Sequence, residues 1–142
     1  MFSHILIAWD ASPEAHRAFE YGQEIAARFS SRIDLVSIAQ APEHVRSDVE
    51  RERNVAEARA YYEEQAAGLV QAARERGIDL HFRVVPGSHP AEGILKVAHQ
   101  GGVDLIIMGR RGKSLAQRFM IGSVSDRVSR YAACPVLIVG KD

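Results

Sequence analysis

The alternation of short apolar runs with longer amphipathic stretches is what most restricts the fold. Five runs recur along the 142 residues: HILIAW (4–9), IDLVSIA (33–39), LHFRVV (80–85), VDLIIM (103–108) and PVLIV (135–139). Three of the five barely alternate between polar and apolar, the pattern of strands covered on both faces. Such strands need helices on both sides, and the intervening segments supply them. Ala15, Ala18, Phe19, Gly22, Ile25, Ala26 and Phe29 share one face at three-and-four spacing, behind Ser12 as N-cap, Pro13 at the first helical position and Glu14 in the first turn. A long charged helix is expected over 48–76, with Val55, Ala58, Tyr62, Ala66, Leu69 and Ala73 as its stripe and Gly77 as its stop. A third helix runs from Pro90 to about Gln100 with Ile94, Leu95 and Ala98 inward. A fourth starts at Ser123, read as an N-cap with Asp126 three residues on. The order β-α-β-α-β-α-β-α-β predicts one α/β domain over residues 1–142, with a mainly parallel sheet.

Charge and composition exclude several function classes. Lys plus Arg and Asp plus Glu are 18 each, so the basic excess of a nucleic-acid partner is missing. The apolar runs fall far short of the ~20 residues that span a bilayer, so no membrane partner is expected. The start, MFSHILIAWD, has no basic n-region and no small-residue cleavage site. With a single cysteine, Cys134, a reducing cytoplasmic setting is expected. Cys134 itself, in AACPVLIV, reads as a small buried filler.

Ligands of open α/β sheets bind beyond the carboxyl ends of the strands. That selects Asp10, the 39–48 loop, PGSHP (86–90) and the segment from Gly109, GRRGKSLAQRFMIGSVSD. The last contains G-K-S, but only Arg110 and Arg111 separate Gly109 from Gly112, where a P-loop has four residues. Other phosphate-binding features are present. Gly109 and Gly112 allow close backbone approach and positive φ. Gly122 and Ser123 open a helix, whose free N–H groups and dipole favour an anion. Ser123 and Ser125 add hydroxyls, and Arg110, Arg111, Lys113 and Arg118 add positive charge. Asp10 either touches a ligand or caps the first helix. The six histidines show neither H-x-x-x-H nor H-E-x-x-H pairing, and no G-x-S-x-G elbow occurs. His89 reads as a helix-entry residue.

The spacing G-x2-G-x9-G-[ST], met by Gly109, Gly112, Gly122 and Ser123, resembles the ATP-binding branch of the universal stress protein family. The resemblance covers essentially the whole chain. HILIAWDASPEA is similar to that family's first strand and turn, where V-D-G-S is usual and Ala11 here replaces the glycine. DLIIMGRRG is similar to its fourth strand and glycine loop, and GSVSDRVSRYAACPVLIV to its last helix and strand. The resemblance implies a flavodoxin-like, doubly wound sheet of five strands in the order 3-2-1-4-5. It implies that backbone at Ala8 and Ile38, with Asp10, surrounds adenine and ribose. Met108 and Gly109 lead toward the phosphates, which Gly112, Lys113, Gly122, Ser123, Val124 and Ser125 hold. Trp9 either stacks on adenine, narrows the site, or is a core aromatic at a strand end. The implied ligand is ATP or another adenine nucleotide, accompanied by Mg or Mn held mainly by phosphate oxygens and water. The implied role is a nucleotide-dependent stress-response module with at most slow hydrolysis, dimerising through its C-terminal strand. Two alternatives stand beside it: a slow metal-dependent ATPase using Asp10, and a dimeric interaction protein that binds no nucleotide.

Overall fold

A computed structural model describes residues 1–41, 45, 47–111 and 121–140. Strands and helices alternate as β1 (His4–Ala8), α1 (Pro13–Phe29), β2 (Arg32–Ala39), α2 (Asp48–Glu75), β3 (Leu80–Pro86), α3 (Pro90–Gly101), β4 (Leu105–Gly109), α4 (Ser123–Tyr131) and β5 (Val136–Val139). All neighbouring strands pair in parallel, in the order β3-β2-β1-β4-β5. The order reverses between β1 and β4, where Ile5, Leu6 and Ile7 face Leu105, Ile106 and Ile107.

The weakly alternating runs are buried on both sides, as their composition requires. Ile5 and Ile7 join Ala18, Phe19, Ala66 and Ala73 in a core under α1 and α2. Leu6 and Ala8 join Ile94, Val97, Ile106 and Val128 in a second core under α3 and α4. The central strands belong to both cores and hold them in register.

Local signals explain the helix ends. Ser12 accepts the Ala15 N–H at 3.1 Å, with Pro13 in the first turn. Ser47 caps α2 through the Glu50 N–H, also at 3.1 Å. Gly77, at φ 79°, ends that helix, and the Ile78 N–H reaches back to the Ala73 carbonyl. Two residues depart from expectation. Phe29, the last residue of α1, is 47% exposed, its ring edge-on to Phe2. Ser123 is the first helical residue of α4, and Gly122 is the N-cap. Gly122 has extended backbone angles and its carbonyl accepts the first helical bond from the Asp126 N–H at 2.9 Å, so the Ser123 side chain lies one position too late to cap.

At the opposite, amino-terminal edge of the sheet, Asp104 ties the chain start to β4. Its carboxylate accepts the Ser3 N–H and hydroxyl and the His4 N–H. His4 bridges on to Asp34 (Nε2···Oδ2 2.7 Å) and to the Gly101 carbonyl (Nδ1···O 3.0 Å). Cys134, just before β5, is only partly buried, packing on the edge of the second core. Among the described residues no helix is long and apolar enough to cross a membrane.

Candidate functional site

A cavity of about 770 Å³ opens at the carboxyl edge of the sheet, over the point where the strand order reverses. That size suits a small organic ligand. Its apolar wall comes from Ala8 of β1, Val36 and Ile38 of β2, Met108 of β4, and Pro90 and Ile94 of α3. Its polar side carries Asp10, Ser12, Gln40, Gly109, Arg110, Arg111 and the start of α4 from Gly122 to Asp126.

Expected site residues therefore converge: Ala8, Trp9, Asp10, Ile38, Met108, Gly109, Arg110, Arg111, Gly122, Ser123, Val124 and Ser125 all line this one cavity. Gly112 and Lys113 lie outside the described residues. Sequence reasoning missed Val36, Tyr62, Pro90 and Ile94. For Val36 a signal existed, since it precedes Ile38 by two and shares its face of the strand. Pro90 closes the PGSHP loop, already placed on the ligand side.

The two described glycines of the motif act by clearance. Neither has a positive φ. A Cβ on Gly109 would lie 2.8 Å from the Glu14 Cβ, and one on Gly122 would lie 2.9 Å from the Arg110 carbonyl oxygen. These contacts let the first turn of α1, the loop after β4 and the start of α4 stack directly on one another.

The Arg110 peptide is the hub of that stack. Its N–H donates to the Val139 carbonyl at 2.8 Å, and its carbonyl accepts the Gly122 N–H at 2.8 Å and the Ser125 hydroxyl at 2.5 Å. The Ser125 hydroxyl, 2% exposed with its residue, is thus committed to protein carbonyls, including Gly122 at 3.2 Å. Ser125 offers a ligand its main-chain N–H. The arrangement leaves the N–H groups of Ser123, Val124 and Ser125 without protein acceptors among the described residues, since Gly122 provides no side-chain cap. Three such donors with the positive end of a helix dipole are chemically suited to an anion.

Asp10 holds the turn below. Its Oδ1 accepts the Ser12 N–H at 3.0 Å, while Ser12 does the capping of α1. Ala11 between them has φ 66°, the left-handed geometry that a glycine takes without strain. Trp9 is 2% exposed and packs among His16, Tyr62 and Phe82, on the α1 and α2 side of the sheet. Its ring belongs to that core and borders the cavity from there; the Nε1–H has no partner among the described residues. His89 is the N-cap position of α3, exposed and without a capping bond. Among the described residues no group of three His, Cys, Asp or Glu could hold a metal ion.

A smaller cavity of about 430 Å³ lies between α3 and α4, lined by Ala98, Val103, Ile106 and Cys134. Burial and then the charge of Asp104 push the Cys134 thiol above its ordinary range, against the demands of a nucleophile.

Comparison with known proteins agrees with this geometry. The profile of the universal stress protein family matches residues 1–140. A Staphylococcus haemolyticus (strain JCSC1435) protein named as a universal stress protein is 33% identical over 139 residues, covering 97% of this chain and 84% of that protein. Among solved structures, a universal stress protein in complex with cAMP superposes with a TM-score of 0.74 at 22% identity, covering 99% of this chain and 98% of that one. An Arabidopsis thaliana family member with AMP bound gives 0.73 at 18% identity, covering 99% and 92%. With strand order, cavity position and loop chemistry all in accord, the chain belongs to the universal stress protein family.

Proposed function

We propose that the chain binds an adenine nucleotide in the cavity at the carboxyl edge of the sheet and acts as a nucleotide-dependent regulatory module. The observation that carries the reading is the uncapped start of α4, which points three main-chain N–H groups into a cavity with an apolar opposite wall. An anionic group at one end and a flat apolar body at the other is the shape of a nucleotide. Two proteins of the same fold bind cAMP and AMP, which supports the reading.

The reading extends to ATP: the positive charge of Arg110 and Arg111 on the cavity wall would meet its further phosphates. Its divalent cation would be held by phosphate oxygens and water, with Asp10 and Asp126 the carboxylates on the cavity wall. Hydrolysis is expected to stay well below the ~1 s⁻¹ of phosphoryl-transfer enzymes, since Asp10 is engaged by the Ser12 N–H and no metal-ligand cluster occurs among the described residues. The test is mass spectrometry of nucleotide released on denaturation, followed by titration with AMP, ADP and ATP. Trp9, the only tryptophan, borders the cavity and reports binding through its fluorescence. Absence of any copurified nucleotide, together with no binding at millimolar concentrations, would refute the proposal. Single-turnover hydrolysis at rates typical of kinases would instead favour the ATPase reading.

A further inference from the structure

The loop after β4 already carries an anion of its own. Glu14, in the first turn of α1, turns its carboxylate onto the loop, and its Oε2 accepts the Arg111 N–H at 2.6 Å. The fold builds this contact: only the missing side chain of Gly109, where a Cβ would lie 2.8 Å from the Glu14 Cβ and 3.0 Å from its carbonyl carbon, lets α1 approach so closely. The same loop residue leads on to α4, because a Cβ on Gly122 would lie 3.3 Å from the Arg111 Cα. Adding the intervening covalent bonds places the Glu14 carboxylate at most about 9 Å from the Gly122 Cα, where α4 begins.

We infer that Glu14 is a specificity-determining residue that limits how much negative charge the site accepts, lowering its preference for ATP over AMP. This rests on the nucleotide reading above and names the ligand property that the site discriminates. A phosphate held by the N–H groups of Ser123, Val124 and Ser125 would lie closer to this carboxylate than the roughly 30 Å Debye length that holds at about 0.01 M salt. At such a separation each unit of ligand charge weakens binding by about two- to threefold. Metal-free ATP carries about two more negative charges than AMP, so its relative affinity falls by about five- to tenfold.

The experiment is calorimetric titration of the wild type, Glu14→Gln and Glu14→Ala with AMP and with ATP, in chelator, at low salt and at about 0.5 M salt. Glu14→Gln keeps an oxygen acceptor for the Arg111 N–H and removes the charge. It is expected to raise the ATP-to-AMP affinity ratio about five- to tenfold at low salt, with the gain shrinking at high salt. Glu14→Ala is expected to raise the same ratio while binding both nucleotides less well than Glu14→Gln, because the loop loses its anchor. Circular dichroism checks that each variant is folded. An unchanged ratio in a folded Glu14→Gln protein overturns the inference and leaves Glu14 as an anchor alone. A repeat with magnesium in which Glu14→Gln weakens ATP but not AMP also overturns it, since the carboxylate would then be holding the metal. If the wild type binds neither nucleotide, the nucleotide reading fails first and this inference falls with it.

Discussion

Ala11 shows how a single residue can depart from a pattern that the rest of the chain keeps. Its φ of 66° is adopted because Asp10, Ser12 and the start of α1 fix the turn on either side. A side chain in that geometry costs ~1–2 kcal/mol. Ala11→Gly is therefore expected to stabilise the protein by about 0.5–1 kcal/mol, after the greater freedom of glycine in the unfolded chain is subtracted. A urea midpoint that fell would contradict this. Gly122 makes the opposite case. Gly122→Ala places a Cβ 2.9 Å from the Arg110 carbonyl, so the backbone must shift and carry the α4 donors with it. Loss of at least about tenfold in nucleotide affinity is expected, with an unchanged circular dichroism spectrum, the loss of roughly one charge-assisted hydrogen bond. The spacing of Gly109 and Gly122 was visible in the sequence, but its reason was not. The expected positive φ does not occur at Gly109; what matters is the tight stacking of three segments, which only the folded chain reveals.

At the scale of elements, the two sheet edges differ in chemistry. The outer strand β3 carries exposed His81, Arg83 and Pro86, residues that discourage further pairing. The other outer strand, β5, reads VLIV and carries no charge. We expect this edge to pair with its copy in a homodimer. The Pro135 and Val139 carbonyls turn toward β4, so alternation along the strand points the Ile138 N–H to the open side. Hydrogen exchange at Ile138 should slow as concentration rises, alongside a dimer mass by light scattering; a stable monomer at micromolar concentration would end the idea. The amino-terminal tie has its own signature. Burial pushes the Asp104 carboxyl up, but hydrogen bonds from the Ser3 N–H and hydroxyl and the His4 N–H, with the His4 charge, bring it below the usual carboxylate range. A depressed folded value stabilises the native state above the unfolded value of about 3.9, and that contribution is lost as pH falls through the folded value. Urea midpoints should thus drop more steeply below about pH 4 in the wild type than in Asp104→Asn. Elements were the most legible level of the sequence, because apolar period and caps act within a few residues. The last helix, α4, begins at Ser123 as expected, but its N-cap was misread by one position, since a serine and a glycine both suit an N-cap and only the extended backbone of Gly122 decides between them.

For the whole molecule, the cavity is where the two cores meet across the sheet. The alternation of runs and amphipathic stretches indicated a parallel α/β sheet, but the strand order came from the resemblance and not from any single run. The cavity wall was only partly legible: Val36, Tyr62 and the pair Pro90 and Ile94 come from three separate elements, β2, α2 and α3, far apart in sequence. A ligand spanning that wall and the α4 start should stabilise the fold as one unit. At a hundredfold excess over its dissociation constant, a nucleotide adds about 2.7 kcal/mol. That corresponds to a rise of roughly 5–10 °C in the melting midpoint of a domain of this size, and a flat melting temperature across AMP, ADP and ATP would contradict it. Finally, the half-covered Cys134 turns the corner between α4 and β5 into a clock. Burial and then the charge of Asp104 raise the Cys134 thiol above the ordinary range, which lowers the thiolate fraction and slows alkylation of the native state. The labelling rate at neutral pH should therefore stay below that of an exposed thiol, rise when sub-denaturing urea opens that corner, and fall if the β5 edge is engaged by a second subunit.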